Sequence, residues 1–174
     1  MEKHDNTFHH SHDFGLEAGG ILPGFQLKYT TLGTLNADRN NVVWICHALT
    51  GSPDFTDWWS GLFDDGRFFD PSQYFIICAN VLGGCYGSTG HLSFNPSTGK
   101  QYFHSFPSVT NRDVVRAFDL LRQSLGIEQI HTLIGGSLGG QQVLEWAIHQ
   151  PEVFQHIIPI ATNANHSPWG IAFN

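Results

Sequence analysis

Positive charge is scarce in this 174-residue sequence. Eight Lys and Arg stand against fifteen Asp and Glu, for a net charge of −7. No block of basic residues occurs anywhere, which argues against nucleic acid or an anionic membrane surface as a partner. Long apolar runs are missing too: none approaches the roughly 20 residues that cross a bilayer. The N-terminus lacks the basic-then-apolar layout of a secretory signal. Cysteine is limited to Cys46, Cys78 and Cys85, an odd number with no Cys-x-x-Cys pair. A reduced, cytoplasmic compartment is therefore expected rather than a disulfide framework. No internal repeat, low-complexity tract or linker divides the chain. With 41% hydrophobic and 13% charged residues, the composition is that of a globular domain with a real core.

Along the chain, residues 1–13 are polar and carry His4, His9, His10 and His12. No acidic or cysteine partner nearby completes a ligand set around these histidines, so no metal site is expected. The segment reads as a disordered, solvated tail. Residues 14–174 then read as one core domain. Phe14–Leu35 has the pattern of two strands, with Leu22-Pro23-Gly24 as the turn. Val42-Val43-Trp44-Ile45-Cys46 is a continuous apolar run, as a strand covered on both faces should be. A short helix is expected within residues 52–70, a buried strand over residues 73–80, and a polar and aromatic loop over residues 91–107. Thr110 to Leu125 is the clearest amphipathic helix: Thr110 caps it, Asp113 follows three residues on, and Gly126 ends it. One more buried strand spans Val153 to Ala161, and residues 162–174 have no periodicity. Strands alternating with helices imply a mostly parallel sheet with helices on both faces and right-handed crossovers.

The chemistry concentrates after the apolar run Ile130–Ile134. That strand stops at Gly135-Gly136, presents Ser137, and passes through Leu138-Gly139-Gly140 into a helix-like segment. Strand, Gly-x-Ser-x-Gly turn and helix form the nucleophile elbow of the α/β-hydrolase class. So sharp a turn strains the serine backbone and brings the flanking elements nearly into contact, so a Cβ at position 135 or 139 would clash. The glycines alone would also suit a phosphate-binding turn, but no Lys-Ser or Lys-Thr follows them. Ser137 is the expected nucleophile. The oxyanion-hole N–H groups are expected from Leu138, after the nucleophile, and from Leu49 or its neighbour Ala48, in the loop following Cys46. His47, at a strand end ahead of the nucleophile, reads as structural. The glycine-rich stretch Val81–Gly90 reads as a wall of the site, and Cys85 within it as an unreactive loop cysteine.

A serine hydroxyl needs a base, usually a histidine held by an acid; in this class both follow the serine in the chain. After Ser137 there is no aspartate. The later acids are Glu145 and Glu152, and the later histidines are His149, His156 and His166. Glu145 and His149 sit on the helix that leaves the elbow and cannot fold back. The catalytic Asp and His are therefore expected outside this chain, which reads as the N-terminal part of an α/β-hydrolase fold truncated after about the sixth strand, C-terminal part and lid absent.

Four stretches together carry a resemblance. They are His47-Ala48-Leu49-Thr50-Gly51; Asn80–Cys85 with Gly87-Ser88-Thr89-Gly90; Phe106–Thr110 with Arg112-Asp113; and Gly135–Gly140. Over roughly residues 15–174 the sequence resembles the N-terminal half of the homoserine O-acetyltransferases. Leu138 and Gln141 stand where that family usually has methionine. Asn111 replaces an apolar residue and His91 a proline. The resemblance implies an acyl-serine intermediate on Ser137, acetyl-CoA as co-substrate with no bound cofactor, L-homoserine as acceptor, a role in methionine biosynthesis, and a homodimer for the full-length family. The chain alone would be inactive. A serine hydrolase or thioesterase of the same fold, or a non-catalytic fragment, are the alternatives.

Overall fold

The computed structural model describes residues 3–63 and 65–173. A six-stranded sheet organises them, in the spatial order Lys3–Gly15 (β1), Ile21–Leu32 (β2), Phe75–Ala79 (β4), Val42–Cys46 (β3), Ile130–Gly136 (β7) and Phe154–Ile160 (β8). Its centre consists of β3 (Val42–Cys46), β4 (Phe75–Ala79) and β7 (Ile130–Gly136), with β8 (Phe154–Ile160) parallel to β7 at one edge. At the other edge β2 (Ile21–Leu32) pairs antiparallel with β4, and β1 (Lys3–Gly15) antiparallel with β2. The mostly parallel α/β architecture of the sequence reading is thus present, with an antiparallel hairpin added at one side.

Every residue of β3 is buried, because its alternate side chains meet two different covers. Trp44 points to the face covered by helices α2 (Asn111–Ser124) and α3 (Leu138–His149). There its ring stands perpendicular to Trp146 at 5.1 Å, with Phe118 6.0 Å from each. Val43 and Ile45 face the opposite side and pack with Phe55 of the short helix α1 (Phe55–Trp58) and with Phe63 and Phe69. An element buried on both faces has no need of a polar alternation, which explains the unbroken apolar run.

Helix α2 starts and ends as its sequence dictates. The Thr110 N–H donates to Asp113 Oδ2 at 3.1 Å, and the Asp113 N–H donates to Thr110 Oγ1 at 3.3 Å, a reciprocal capping box. At the far end Gly126 adopts φ 64°, and its N–H and that of Ile127 donate back to Gln123 and Arg122 carbonyls.

Five expectations are corrected. Residues 3–13 are not a disordered tail: they form most of β1, in register with β2 from Lys3↔Leu32 to His10↔Phe25. Met1 and Glu2 lie outside the described residues. The strand forms because backbone pairing with β2 does not depend on side-chain polarity, and because Phe8, His10 and Phe14 lay their rings against Phe25. The turn of this hairpin is not Leu22-Pro23-Gly24. It lies at Glu17–Gly20, closed by Leu16 N–H to Gly20 O and Gly19 N–H to Leu16 O, each 3.1 Å. Pro23 and Gly24 run inside β2, opposite a register shift between His10 and Asp13, a position where proline and glycine are accommodated within sheets. Residues 91–107 hold a small hairpin, β5 (Phe94–Asn95) with β6 (Lys100–Gln101), and residues 162–174 hold the six-residue helix α4 (Pro168–Phe173). Finally, the strand expected as buried over Val153–Ala161 is β8, and none of its residues is buried, because it forms the edge of the sheet among the described residues.

Candidate active site

The junction of β7 and α3 is built by steric exclusion. A Cβ on Gly139 would lie 2.0 Å from the Cys46 carbonyl oxygen and 2.9 Å from that of His47. One on Gly135 would lie 2.5 Å from the Gly139 oxygen, and one on Gly140 would lie 2.7 Å from the Thr162 side chain. Gly136 differs: its nearest neighbour would be 3.9 Å away, so space does not demand glycine there. The close approach of β3, β7 and α3 leaves the connecting residue one conformation. Ser137 takes it at φ 54° and ψ −120°, a left-handed backbone that L side chains adopt at a cost of about 1–3 kcal/mol. Its neighbours hold it there. The Ser137 N–H donates to Ile160 O at 3.0 Å, and its carbonyl accepts from Thr162 Oγ1 at 2.8 Å and from the Gln141 N–H at 3.1 Å. The side chain stands exposed at the N-terminus of α3.

Leu138 opens α3, where an N–H has no acceptor within the helix. Leu49, 75% exposed, lies on the loop after β3, and its N–H has no partner among the described residues. Both residues line one cleft of about 520 Å³, walled by Val81–Cys85 of the glycine-rich loop and by Phe106–Asn111 at the start of α2. The loop bearing Leu49 is held by His47, which is 1% exposed. Its Nδ1 lies 2.8 Å from the Ala48 carbonyl and donates to it, while Nε2 accepts the Val81 N–H at 3.3 Å. Both ring nitrogens are thus used by the neutral tautomer, and burial pushes the imidazole pKa down. His47 is structural, tying the Leu49 loop to the wall formed by residues 81–85.

No carboxylate or imidazole reaches the Ser137 hydroxyl among the described residues. Glu145 accepts from Arg112 Nε at 2.7 Å. His149 lies in a separate depression with His10, Arg116 and Asp119. The His156 ring packs 5.2 Å from that of His131. His166 Nε2 lies 3.1 Å from Gln141 Nε2, on the first turn of α3. Cys85 is a free, exposed loop thiol. No group of three or more His, Cys, Asp or Glu side chains that could hold a metal occurs among the described residues, and no helix among them is long and apolar enough to cross a membrane.

Sequence reasoning missed one residue of this site. Gln142 is 1% exposed, lies in the cleft wall with Leu49 and Leu138, and has neither amide atom hydrogen-bonded. A signal was present: Gln142 sits one turn before Trp146, on the inward stripe of α3, where a carboxamide is out of place unless it has work to do.

Comparison with known proteins agrees with this geometry. Residues 41–174 match the family model for the alpha/beta hydrolase fold. Over all 174 residues the chain is 52% identical to a homoserine O-acetyltransferase of Cyclobacterium marinum, covering 50% of that protein. The chain spans about half the length of the curated relatives it matches. Among solved structures, 97% of the chain superposes on 49% of a homoserine O-acetyltransferase from Bacillus anthracis, with TM-score 0.88 and 32% identity. It fits esterase E22 equally well, with TM-score 0.88 and 28% identity over 98% of this chain and 50% of that one.

Proposed function

The chain belongs to the alpha/beta hydrolase fold family, and from that membership we propose that it is the nucleophile-bearing part of an acyltransferase that moves an acetyl group from acetyl-CoA to the side-chain hydroxyl of L-homoserine. The observation that carries this reading is Ser137, exposed and held at φ 54° between glycines, in a chain 52% identical to a named homoserine O-acetyltransferase. In this mechanism Ser137 Oγ attacks the thioester carbonyl, its proton passes to the base, and the tetrahedral intermediate collapses with loss of the CoA thiol. The homoserine hydroxyl then attacks the acetyl-serine and returns Oγ as the leaving group. The N–H groups of Leu138 and Leu49 stabilise the oxyanion in both intermediates, each such donor being worth about 10²–10³ in rate. Base and acid come from other residues of the complete protein, since none of the acids or imidazoles among the described residues engages Ser137. The same reading places the protein in methionine biosynthesis, in the cytoplasm, as a homodimer, with acetyl-CoA as a co-substrate and no resident cofactor.

A second reading, ester hydrolysis with water as acceptor, is favoured by the equal fit to esterase E22. The elbow and its donors serve both chemistries; the acceptor distinguishes them. Assayed on the complete protein, release of CoA from acetyl-CoA should require L-homoserine and vanish in Ser137→Ala. Release that proceeds equally without homoserine would replace acetyl transfer by hydrolysis. The 174-residue chain by itself should show little or no turnover.

A further inference from the structure

The two half-buried glutamines at the ends of α3 are paired. Gln150, at the end of α3, accepts from Trp146 Nε1 at 3.0 Å and donates to Asp119 Oδ2 at 3.0 Å. Gln141 donates to Asn163 Oδ1 at 3.3 Å. Gln142 is the exception: both Nε2 and Oε1 are buried and without partners, and no other side chain among the described residues has two such atoms. At the start of α2, on the same cleft wall, Ser108 is exposed and Asn111 half-buried, so both reach water, and Thr110 is already committed. Thr110 Oγ1 bonds Glu17 and Asp113, and the Asp113 carboxylate takes the N–H groups of Glu17 and Thr110 and the Arg116 guanidinium. A buried amide left empty costs about 1–3 kcal/mol per unsatisfied group, so its retention in a cleft wall calls for a ligand group that completes it.

The cleft itself states what that group is. Its lining holds no Asp, Glu, Lys or Arg, and its one imidazole, His91, is exposed, so a charged ligand group at the buried Gln142 would lose its hydration without a fixed counter-charge. The free carboxamide offers one donor side and one acceptor side. Its complement is an uncharged group that accepts and donates together, and a secondary amide is one such group. The amino-acid acceptor, with its ammonium and carboxylate, does not fit this description. The thiol arm of an acyl-CoA does: pantetheine is neutral and carries two secondary amides. Leu49 and Leu138 line the same cleft, so an arm running from a thioester carbonyl held at those N–H groups passes along this wall.

We propose that Gln142 is a binding residue for the acyl donor, hydrogen-bonding through Nε2 and Oε1 to an amide of the pantetheine arm, and that the cleft between Leu138 and the start of α2 is the thiol-arm channel. This rests on the acyltransferase reading for the identity of the donor, but its test needs neither turnover nor Ser137. Binding of pantetheine to the full chain is measured by titration calorimetry for the wild type, Gln142→Met and Ser137→Ala. Gln142→Met keeps the size and helix preference of the side chain and removes its hydrogen bonds. It should weaken pantetheine binding about tenfold or more, the worth of two lost hydrogen bonds, while the melting temperature of the free chain stays level or rises, because an unpaired buried amide has been removed. Ser137→Ala should bind within about twofold of wild type. In the wild type, the Gln142 side-chain NH₂ resonances should shift on saturation with pantetheine, a readout that stands even if the variant fails to fold. Absence of saturable binding by the wild type, equal affinity in Gln142→Met, or an unmoved Gln142 resonance at saturation would each overturn the proposal. Loss of homoserine-dependent turnover, by contrast, bears on the acyltransferase reading and leaves these binding results intact.

Discussion

The turn at Ser137 and the hairpin of β1 and β2 are both held by backbone hydrogen bonds, yet they constrain sequence in opposite ways. At the turn, three elements meet so closely that a methyl group has no room at Gly135, Gly139 or Gly140, and the serine is bonded through both its N–H and its carbonyl. In the hairpin, most of β1 faces solvent. Its alternation is visible only at Asn6, Phe8, His10 and Phe14, of which Phe14 alone is buried. The first region specifies residue types through exclusion. The second accepts nearly any side chain that tolerates extended backbone, and fixes its register through a few aromatic contacts. A site that must hold a strained nucleophile belongs in the first kind of surrounding, where neighbours leave the backbone no alternative.

The contrast can be broken most forcefully at Gly139. Gly139→Ala puts a Cβ 2.0 Å from the Cys46 oxygen and should cost more than about 4 kcal/mol or prevent folding, whereas Gly136→Ala should stay within about 1 kcal/mol. Urea denaturation compares the two directly, and similar costs would show that the turn is not set by close approach. Next in size, Phe14→Ala removes a ring 4% exposed, edge-on to Phe25 at 5.1 Å and 4.7 Å beneath the Arg116 guanidinium. It should cost about 3 kcal/mol and speed amide exchange across residues 4–10. An unchanged melting curve would return the first thirteen residues to a tail.

The smallest effect lies at His47 and is read through pH. Burial lowers its folded-state pKa below the unfolded value of 6.5. Above pH 6.5 the ring is neutral in both states and its contribution to stability is complete. As pH falls below 6.5 the unfolded chain binds a proton that the folded ring resists, so stability declines until the folded pKa is passed. His10 and His131 are shifted the same way, by burial first and then by His12 and His156 respectively, and add to the same slope. His47→Gln should cost about 2 kcal/mol at pH 7.5 through the lost bonds to Ala48 and Val81 and should flatten the fall of the urea midpoint between pH 6.5 and 5. An identical slope in the variant would mean that His47 does not resist protonation in the folded chain.

Much of the fold could be read from the residues because its signals are local. The unbroken apolar runs at Val42–Cys46 and Ile130–Ile134, the Thr110/Asp113 cap and Gly126 each bias backbone within a few positions, and each lies where the pattern put it. The turn of the hairpin was misplaced because Pro23 and Gly24 satisfy a turn and a bulged strand equally well; the choice was made by pairing with His10 and Asp13. The strand character of residues 3–13 was hidden for the same reason, since polar residues suit a tail and a solvated edge alike. Gln142 was overlooked because a glutamine in a helix attracts no notice until its surroundings show that it has no partner.

The sequence by itself determined the strand–serine–helix junction, since glycine at 135 and 139 is the one residue type that a turn so tight admits. Tertiary structure alone decided that the Leu49 loop and the start of α3 at Leu138 share a cleft, that His47 ties that cleft together, and that Gln142 stands unpaired in its wall. Those facts join residues nearly a hundred positions apart. No local pattern encodes such distances; they are set when β3 and β7 align side by side and α3 closes over them.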